Sequence, residues 1–384
     1  MSSDAPRIAV YGASGLAGAS LCAALRGAGF AVRLVGRDRA RLERAAAELG
    51  DGAPVHVARA DDRGALAAAF VGAQVVVNAA GPFATLGEEV VASAIACGCH
   101  YLDLCAEQAV LRRVFERRDA EARRAEVAVV PGAAFSVALG DLLAARAAAE
   151  LLEHRDDGPT VRHVAAPRLR SAEPLALSIG YLFEDLTLPP GAQASVFANL
   201  HAPLVAWRHD RWDPERPGRR QRTFNPGPFP GEPEERASYE REAFSLGAGD
   251  NLTIPRHVAA ESVDTYLSVT RQPGVHRALR LTAMVASLLP PQAASVLVPF
   301  TGSTERYAAT RFAVVASAEL PFAARHAIAL GRDLYATSTE LTARLAAILA
   351  RRPRGPVGVL APAEVVRAPA FLDELARDGV LALR

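Results

Sequence analysis

The sequence predicts an α/β chain in which a doubly wound parallel sheet leads into a second domain of α+β character. Three observations predict it. Between residues 7 and 130, short apolar runs alternate with Ala-, Leu- and Arg-rich helical stretches, with little chain to spare. At Pro131-Gly132 that rhythm stops, and the strand candidates beyond it are longer and no longer alternate evenly with helices. The length of 384 residues, half of them hydrophobic, exceeds the roughly 250–300 residues at which a single core stops growing.

The runs Arg7–Tyr11, Ala31–Val35, Val55–Ala58, Val75–Asn78, Tyr101–Leu104 and Val127–Val130 read as strands buried on both faces. Stretches such as Arg39–Leu49 and Glu107–Arg124 read as the helices between them. Six strands in this order make a complete Rossmann domain. Beyond it, Leu139–Leu152 reads as a helix, and Leu175–Phe183 and Arg306–Ala316 as strands. Residues 208–236 are rich in Pro, Gly, Arg and Glu and carry little apolar periodicity, which predicts a long loop bordered by Trp207 and Trp212. Helical spacing returns over Arg332–Leu349 and Pro362–Leu383.

Composition removes several chemistries. Net charge is +1, so no general field attracts nucleic acid or an anionic surface. All 43 basic residues are arginine. Without lysine there is no Schiff base, no Walker A loop and no Tyr-x-x-x-Lys pair of the short-chain dehydrogenase type. Four cysteines, with Cys97, Cys99 and Cys105 close together, are too few for a disulfide framework and lack the partners of a zinc site. Buried thiols in a cytoplasmic protein, with no metal, are the expectation. No secretion signal is legible at the N-terminus. The uncharged stretch Leu281–Thr304 is cut by Pro290-Pro291 into halves too short to span a bilayer. It suggests a buried helical pair, a homo-oligomer interface or contact with a membrane surface.

The chemistry begins at Gly12-Ala-Ser-Gly15-Leu-Ala-Gly18, between the first strand and the first helix. Gly12 permits the tight turn, Gly15 lets backbone approach a pyrophosphate, and Gly18 lets helix pack close to strand. Amides around Ser14–Leu16 then face the phosphates at the positive end of the helix dipole. The second strand ends in Gly36-Arg37, where an NAD site places an acidic residue on the ribose. A guanidinium at Arg37 suits the 2′-phosphate of NADP, with Arg41 one helical turn on. Asp38 could instead take the acidic role, but the arrangement favours NADP(H) over NAD(H). Asp61, after the third strand, is placed for an adenine contact or a helix cap. The small residues Ala79, Ala80, Gly81 and Pro82 let a coenzyme cross the carboxyl edge of the sheet, while Phe83 walls the nicotinamide pocket or fills core.

Hydride transfer also needs a proton donor. The candidates near the sheet's carboxyl edge are His100, Tyr101, Asp103 and Glu107, with Tyr181 and His257 from the second domain. Asp103 and Glu107 either orient a substrate amine and donate a proton, or cap the following helix.

These motifs, together with Gly98-Cys-His-Tyr-Leu-Asp103 and Val130-Pro131-Gly132, resemble the saccharopine dehydrogenase-like oxidoreductases, including their trans-acting enoyl reductase members. The resemblance is dense over residues 7–145. It thins to Asn251–His257, Val263–Tyr266 and Gly331–Tyr335 beyond. It implies NAD(P)-dependent hydride transfer by a Rossmann domain (1–135), an α+β substrate and dimerisation domain (136–335), and C-terminal helices (336–384) packing back on the first. Two family patterns are altered: Gly-Phe-Asp-Ser is Ala134-Phe135-Ser136-Val137, and Ser-Gly-Gly-Thr is Pro190-Gly191-Ala192-Gln193. Three functions stay open: reduction of an imine or related C=N substrate, an enoyl reductase acting on a lipid or polyketide chain, and a non-catalytic NADP-binding sensor.

Overall fold

The computed structural model describes residues 6–50, 52–153, 169–171, 173–184, 186–188, 199, 204–232, 239–270, 272–286, 308–352 and 355–384. They form two compact units. Unit 1 comprises residues 1–105, 110–134 and 338–365, and unit 2 comprises 106–109, 135–337 and 366–384.

Unit 1 is a parallel sheet wound with helices. In chain order it runs β1 (Arg7–Tyr11), α1 (Leu16–Gly27), β2 (Ala31–Gly36), α2 (Arg39–Leu49), β3 (Val55–Val57), α3 (Arg63–Phe70), β4 (Val75–Asn78), α4 (Phe83–Ala96), β5 (His100–Asp103), α5 (Gln108–Arg124) and β6 (Ala128–Val130). The order across the sheet, β6-β5-β4-β1-β2-β3, reverses direction at β1, the switch point where ligands gather in open α/β sheets. Val75, Val76 and Val77 on β4 are completely buried, as strands covered on both faces require. Short polar caps start the helices: Asp38 accepts from the Arg41 amide at 3.0 Å and Asp62 from the Ala65 amide at 2.9 Å.

Unit 2 is built on a mixed sheet beside α6 (Gly140–Glu153), which a π-type turn over Phe135–Leu139 precedes. Its strands are β7 (Ala176–Glu184), β8 (Leu204–Arg208), β9 (Arg211–Glu215), β10 (Gln221–Phe224), β11 (Arg241–Ser245), β12 (Ser262–Ser268), β13 (Arg311–Leu320) and β14 (Ala323–Arg332). Its further helices are α7 (Asp250–His257) and α8 (Pro273–Ala286). At the sheet's centre β7 pairs parallel with β12 and antiparallel with β13. Phe135 packs its ring on Phe312, Tyr181 and Phe183, with centroids 4.6, 5.9 and 5.9 Å away.

The C-terminal stretch is divided. The long helix α9 (Leu334–Arg351) starts in unit 2 and continues into unit 1. There β15 (Gly358–Val359) adds a seventh parallel strand beside β6, held by the Val359 amide donating to Asp119 Oδ1 at 2.8 Å. After α10 (Pro362–Val365), α11 (Ala368–Arg377) and β16 (Ala382–Leu383) belong to unit 2, where β16 pairs with β14. The expected helix over Pro362–Leu383 therefore ends in a strand.

The predicted loop over 208–236 is also corrected. It holds β9 and β10, and β8 and β9 form a hairpin in which Trp207 faces Trp212 edge-on at 5.4 Å. His209 and Asp210 turn the hairpin, both with positive φ, as a two-residue primed turn requires. The expected strand over Arg306–Ala316 is shifted to β13, and residues 306 and 307 lie outside the described residues. So do Pro190–Gln193 and the part of Leu281–Thr304 beyond α8. No helix among the described residues is long and apolar enough to cross a membrane.

One buried side chain anchors the start of α5 within unit 2. Gln108 Nε2 donates to the carbonyls of Val205 and Ala248, both at 2.8 Å, and its Oε1 accepts from the Val205 amide at 2.7 Å. Gln108→Ala should destabilise the protein by about 2–3 kcal/mol, since it leaves buried backbone groups unpaired. Chemical denaturation checks this, and a loss below about 0.5 kcal/mol would show that water replaces the amide.

Candidate functional site

The glycine turn is sterically specified. Gly12 has φ +82° and donates to the Val35 carbonyl at 2.8 Å, and a Cβ on it would come within 2.9 Å of Ala80. A Cβ on Gly18 would fall on the Gly12 carbonyl oxygen. Gly15 caps α1 without a side-chain hydrogen bond, and the first turn has no acidic residue. The helix thus presents bare N–H groups and an uncompensated positive dipole end, the elements of a phosphate site. Ser14 is half-buried in the turn and Leu16 exposed beside it. A dinucleotide pyrophosphate fits this cradle, since side chains are excluded where the phosphates approach.

Around the turn stand arginines. Arg37 is exposed at the end of β2, next to Gly36, and forms no hydrogen bond or ion pair among the described residues. The Arg41 guanidinium reaches the Ser14 carbonyl at 3.4 Å. Asp38, the acidic alternative, has its carboxylate engaged in capping α2. Asp61 does not cap α3, because Asp62 does, and it instead pairs with Arg59. On β4, Asn78 Oδ1 accepts from the Ala80 amide at 3.0 Å and the Ala79 amide donates to the Tyr11 carbonyl at 2.8 Å. This fixes the small-residue bend Ala79-Ala80 against the glycine turn. Gly81 and Pro82, joined by a cis bond, are exposed, while Phe83 opens α4 and is largely buried.

The proton-donor candidates separate. His100 stands at the amino end of β5, level with Val75 at the start of β4, so it lies at the edge of the sheet opposite the glycine turn. Its Nδ1 accepts from the Ala128 amide at 2.9 Å, and burial lowers its pKa. Tyr101 is fully buried. Its hydroxyl accepts from Asn78 Nδ2 at 3.2 Å and donates to Asp103 Oδ2 at 3.0 Å, and burial raises its pKa well above the usual phenol range. Asp103 Oδ1 accepts from the amides of Cys105 and Gly132 at 3.0 and 2.8 Å. Oδ1 thereby ties β5 to the Pro131-Gly132 turn, while Oδ2 is held by Tyr101 on the same strand. Glu107 is buried ahead of α5, in the short piece of chain grouped with unit 2. The thiols of Cys97 and Cys99 point at backbone carbonyls of α3 and its following turn, and burial pushes Cys99 up to about 12.

Unit 2 contains a polar cluster of which the sequence singled out only half. The Tyr181 hydroxyl on β7 donates to Asp250 at 3.0 Å, and His257 Nε2 lies 2.8 Å from Asp141 Oδ1. Asp141 and Asp250 are both completely buried. Asp141 sits in the first turn of α6 and His257 ends α7, so each suits the helix dipole at its position. Burial, and then the nearby Asp141, raise the Asp250 pKa well above its ordinary value of 3.8. An acid whose pKa rises on folding contributes stability below its unfolded pKa and loses it as pH climbs toward the folded value. Asp250→Asn, a mimic of the protonated acid, should therefore gain stability relative to the native chain as pH rises from about 4. Denaturation curves at pH 4, 6 and 8 check this, and parallel pH dependence would contradict it.

Residues 8–130 match the family model described as the saccharopine dehydrogenase NADP binding domain. No curated protein matches the sequence. Among solved structures, the apo histidine-tagged saccharopine dehydrogenase (L-Glu forming) from Saccharomyces cerevisiae aligns over 99% of both chains at 14% identity and a TM-score of 0.61. A triphenylmethane reductase from Citrobacter sp. in complex with NADP(H) aligns over 32% of this chain and 48% of its own, at 19% identity and a TM-score of 0.25. A 3-ketoacyl-(acyl-carrier-protein) reductase from Brucella melitensis with NADH aligns over 33% and 73%, at 19% identity and a TM-score of 0.28. Residues 8–130 are thus similar to the saccharopine dehydrogenase NADP binding domain, and the chain shares the fold of the yeast enzyme.

Proposed function

We propose that this protein is an NADP(H)-dependent reductase that delivers hydride to an imine or related C=N substrate. The observation that carries the reading is that an NADP-binding domain and a second unit together reproduce the fold of one saccharopine dehydrogenase over nearly its full length. When bound, the coenzyme supplies the hydride. The amides at the head of α1 hold its pyrophosphate, and Arg37 with Arg41 favours a 2′-phosphate over a free ribose hydroxyl. Ala79–Pro82 leave the carboxyl edge of the sheet open for the ring-bearing half, and Phe83 supports that edge.

Reduction of C=N places hydride on carbon and a proton on nitrogen. Tyr101 and Asp103 are bonded to each other, and His100 is at the other edge of the sheet. The proposed proton donor is therefore His257, whose ring Asp141 orients at 2.8 Å. Its side chain keeps about a tenth of its surface open, whereas Tyr181 is buried against Asp250. Glu107 is proposed to orient a cationic substrate nitrogen.

A second reading, reduction of an enoyl group on a lipid or polyketide chain, is favoured by the exposed apolar side chains of α8. Leu281 there is 60% exposed, and Met284 and Val285 lie beside it.

NADPH consumption measured with cyclic imines and with enoyl thioesters tests the assignment. Turnover of imines alone is expected, turnover of thioesters alone selects the second reading, and turnover of neither indicates a non-catalytic NADP sensor. With the preferred substrate, His257→Ala should lower kcat by about 100-fold with the KM for NADPH unchanged. An undiminished kcat would remove His257 from the mechanism.

A further inference from the structure

Three strand ends meet beside the glycine turn. Tyr11 at the end of β1 pairs with Val35 on β2, and Gly36 pairs with Val57 on β3. The Ala58 amide donates to the Gly36 carbonyl at 2.8 Å and carries this alignment one residue further. Arg37 and Arg59 therefore leave the sheet from adjacent strands on its carboxyl edge.

Tyr11 has a buried ring, and its hydroxyl makes no hydrogen bond among the described residues. The charges of Arg37, Asp61 and Arg59 all act on that hydroxyl. Burial raises its pKa, and the two arginines act against this rise. It therefore remains a protonated donor at neutral pH.

Arg59 differs from Arg37 in having a partner. Its Nε and Nη2 grip Asp61 Oδ1 and Oδ2 at 3.0 and 3.1 Å, a bidentate fork identical in kind to the one a guanidinium offers a phosphate. Arg59 and Asp61 are each 70% exposed. An exposed pair gives little up when it is exchanged for another anion.

We propose that Arg59 and the Tyr11 hydroxyl are further ligands of the coenzyme's 2′-phosphate, and that Asp61 sets coenzyme selectivity by competing for Arg59. In the coenzyme-free protein the Asp61 carboxylate occupies the Arg59 fork. A 2′-phosphate, doubly charged and flanked by Arg37, displaces it, whereas the neutral 2′-hydroxyl of NAD(H) leaves the pair closed. Asp61 thereby acts opposite to the acidic residue of an NAD site: it engages an arginine and not the ribose. This inference rests on the NADP(H) reading above.

The test is a fluorescence titration of the purified full chain with NADPH and NADH, repeated with 2′,5′-ADP and 5′-AMP as competitors. Arg59→Ala should weaken NADPH and 2′,5′-ADP by about 10-fold or more and leave NADH and 5′-AMP within about 2-fold. Asp61→Asn should tighten NADPH severalfold with NADH unchanged, and Tyr11→Phe should weaken NADPH alone. If Arg37→Ala removes the NADPH preference while the Arg59 and Asp61 variants behave as the native chain, this inference is overturned and the NADP(H) reading stands. If the native chain itself prefers neither coenzyme, both fall.

Discussion

The close approach of α1 to the end of β1 is the constraint on which the rest depends. Gly18 rests on the Gly12 carbonyl and Gly12 against Ala80, so two turns on neighbouring strands are fixed by contacts that admit no side chain. That approach leaves the head of α1 uncapped and aims its free amides at the carboxyl edge of the sheet. Asn78 holds the facing bend of β4 through the Ala80 amide. The glycine cradle is therefore a property of backbone packing, set by contacts at Gly12 and Gly18 that leave no room for a side chain.

The absence of lysine shapes the remainder. Charge recognition falls to arginine, whose planar fork pairs bidentately with carboxylates and phosphates alike. The Arg59–Asp61 pair is such a fork closed on a carboxylate. Acid chemistry falls to Asp, Glu, His and Tyr, and the structure divides these by task. Tyr101 and Asp103 are consumed in internal hydrogen bonds that close the sheet onto the Pro131-Gly132 turn. Asp141, Tyr181, Asp250 and His257 form a protic cluster inside unit 2, in which burial raises the pKa of Asp250.

Much of unit 1 was legible because its signals are local. A parallel strand buried on both faces is a short apolar run, and a helix start needs only Asp38 or Asp62 and its neighbours. Position along a strand is legible too: His100 enters a parallel strand and so lies at its amino edge, away from the glycine turn. Asp103 could not be assigned from sequence, because its partners at Gly132 and Ala133 come from a distant turn. The 208–236 segment misled for a different reason. Its hairpin relies on a cross-strand tryptophan pair and a His-Asp turn, where Asn-Gly is the recognisable signal, and Pro214 sits within β9. Asp141 and Asp250 carry no sequence signal, since the cluster draws on α6, β7 and α7, segments with no common spacing.

The proposed activity is direct hydride transfer from NADPH by this chain. The most direct measurement is a single-turnover reaction with NADPH deuterated at C4, using each hydride-bearing face in turn, followed by mass spectrometry of the reduced product. The product is expected to carry one deuterium from one of the two labelled coenzymes and none from the other. Product that carries no deuterium from either, or coenzyme that stays unoxidised with imine and enoyl substrates alike, would contradict it.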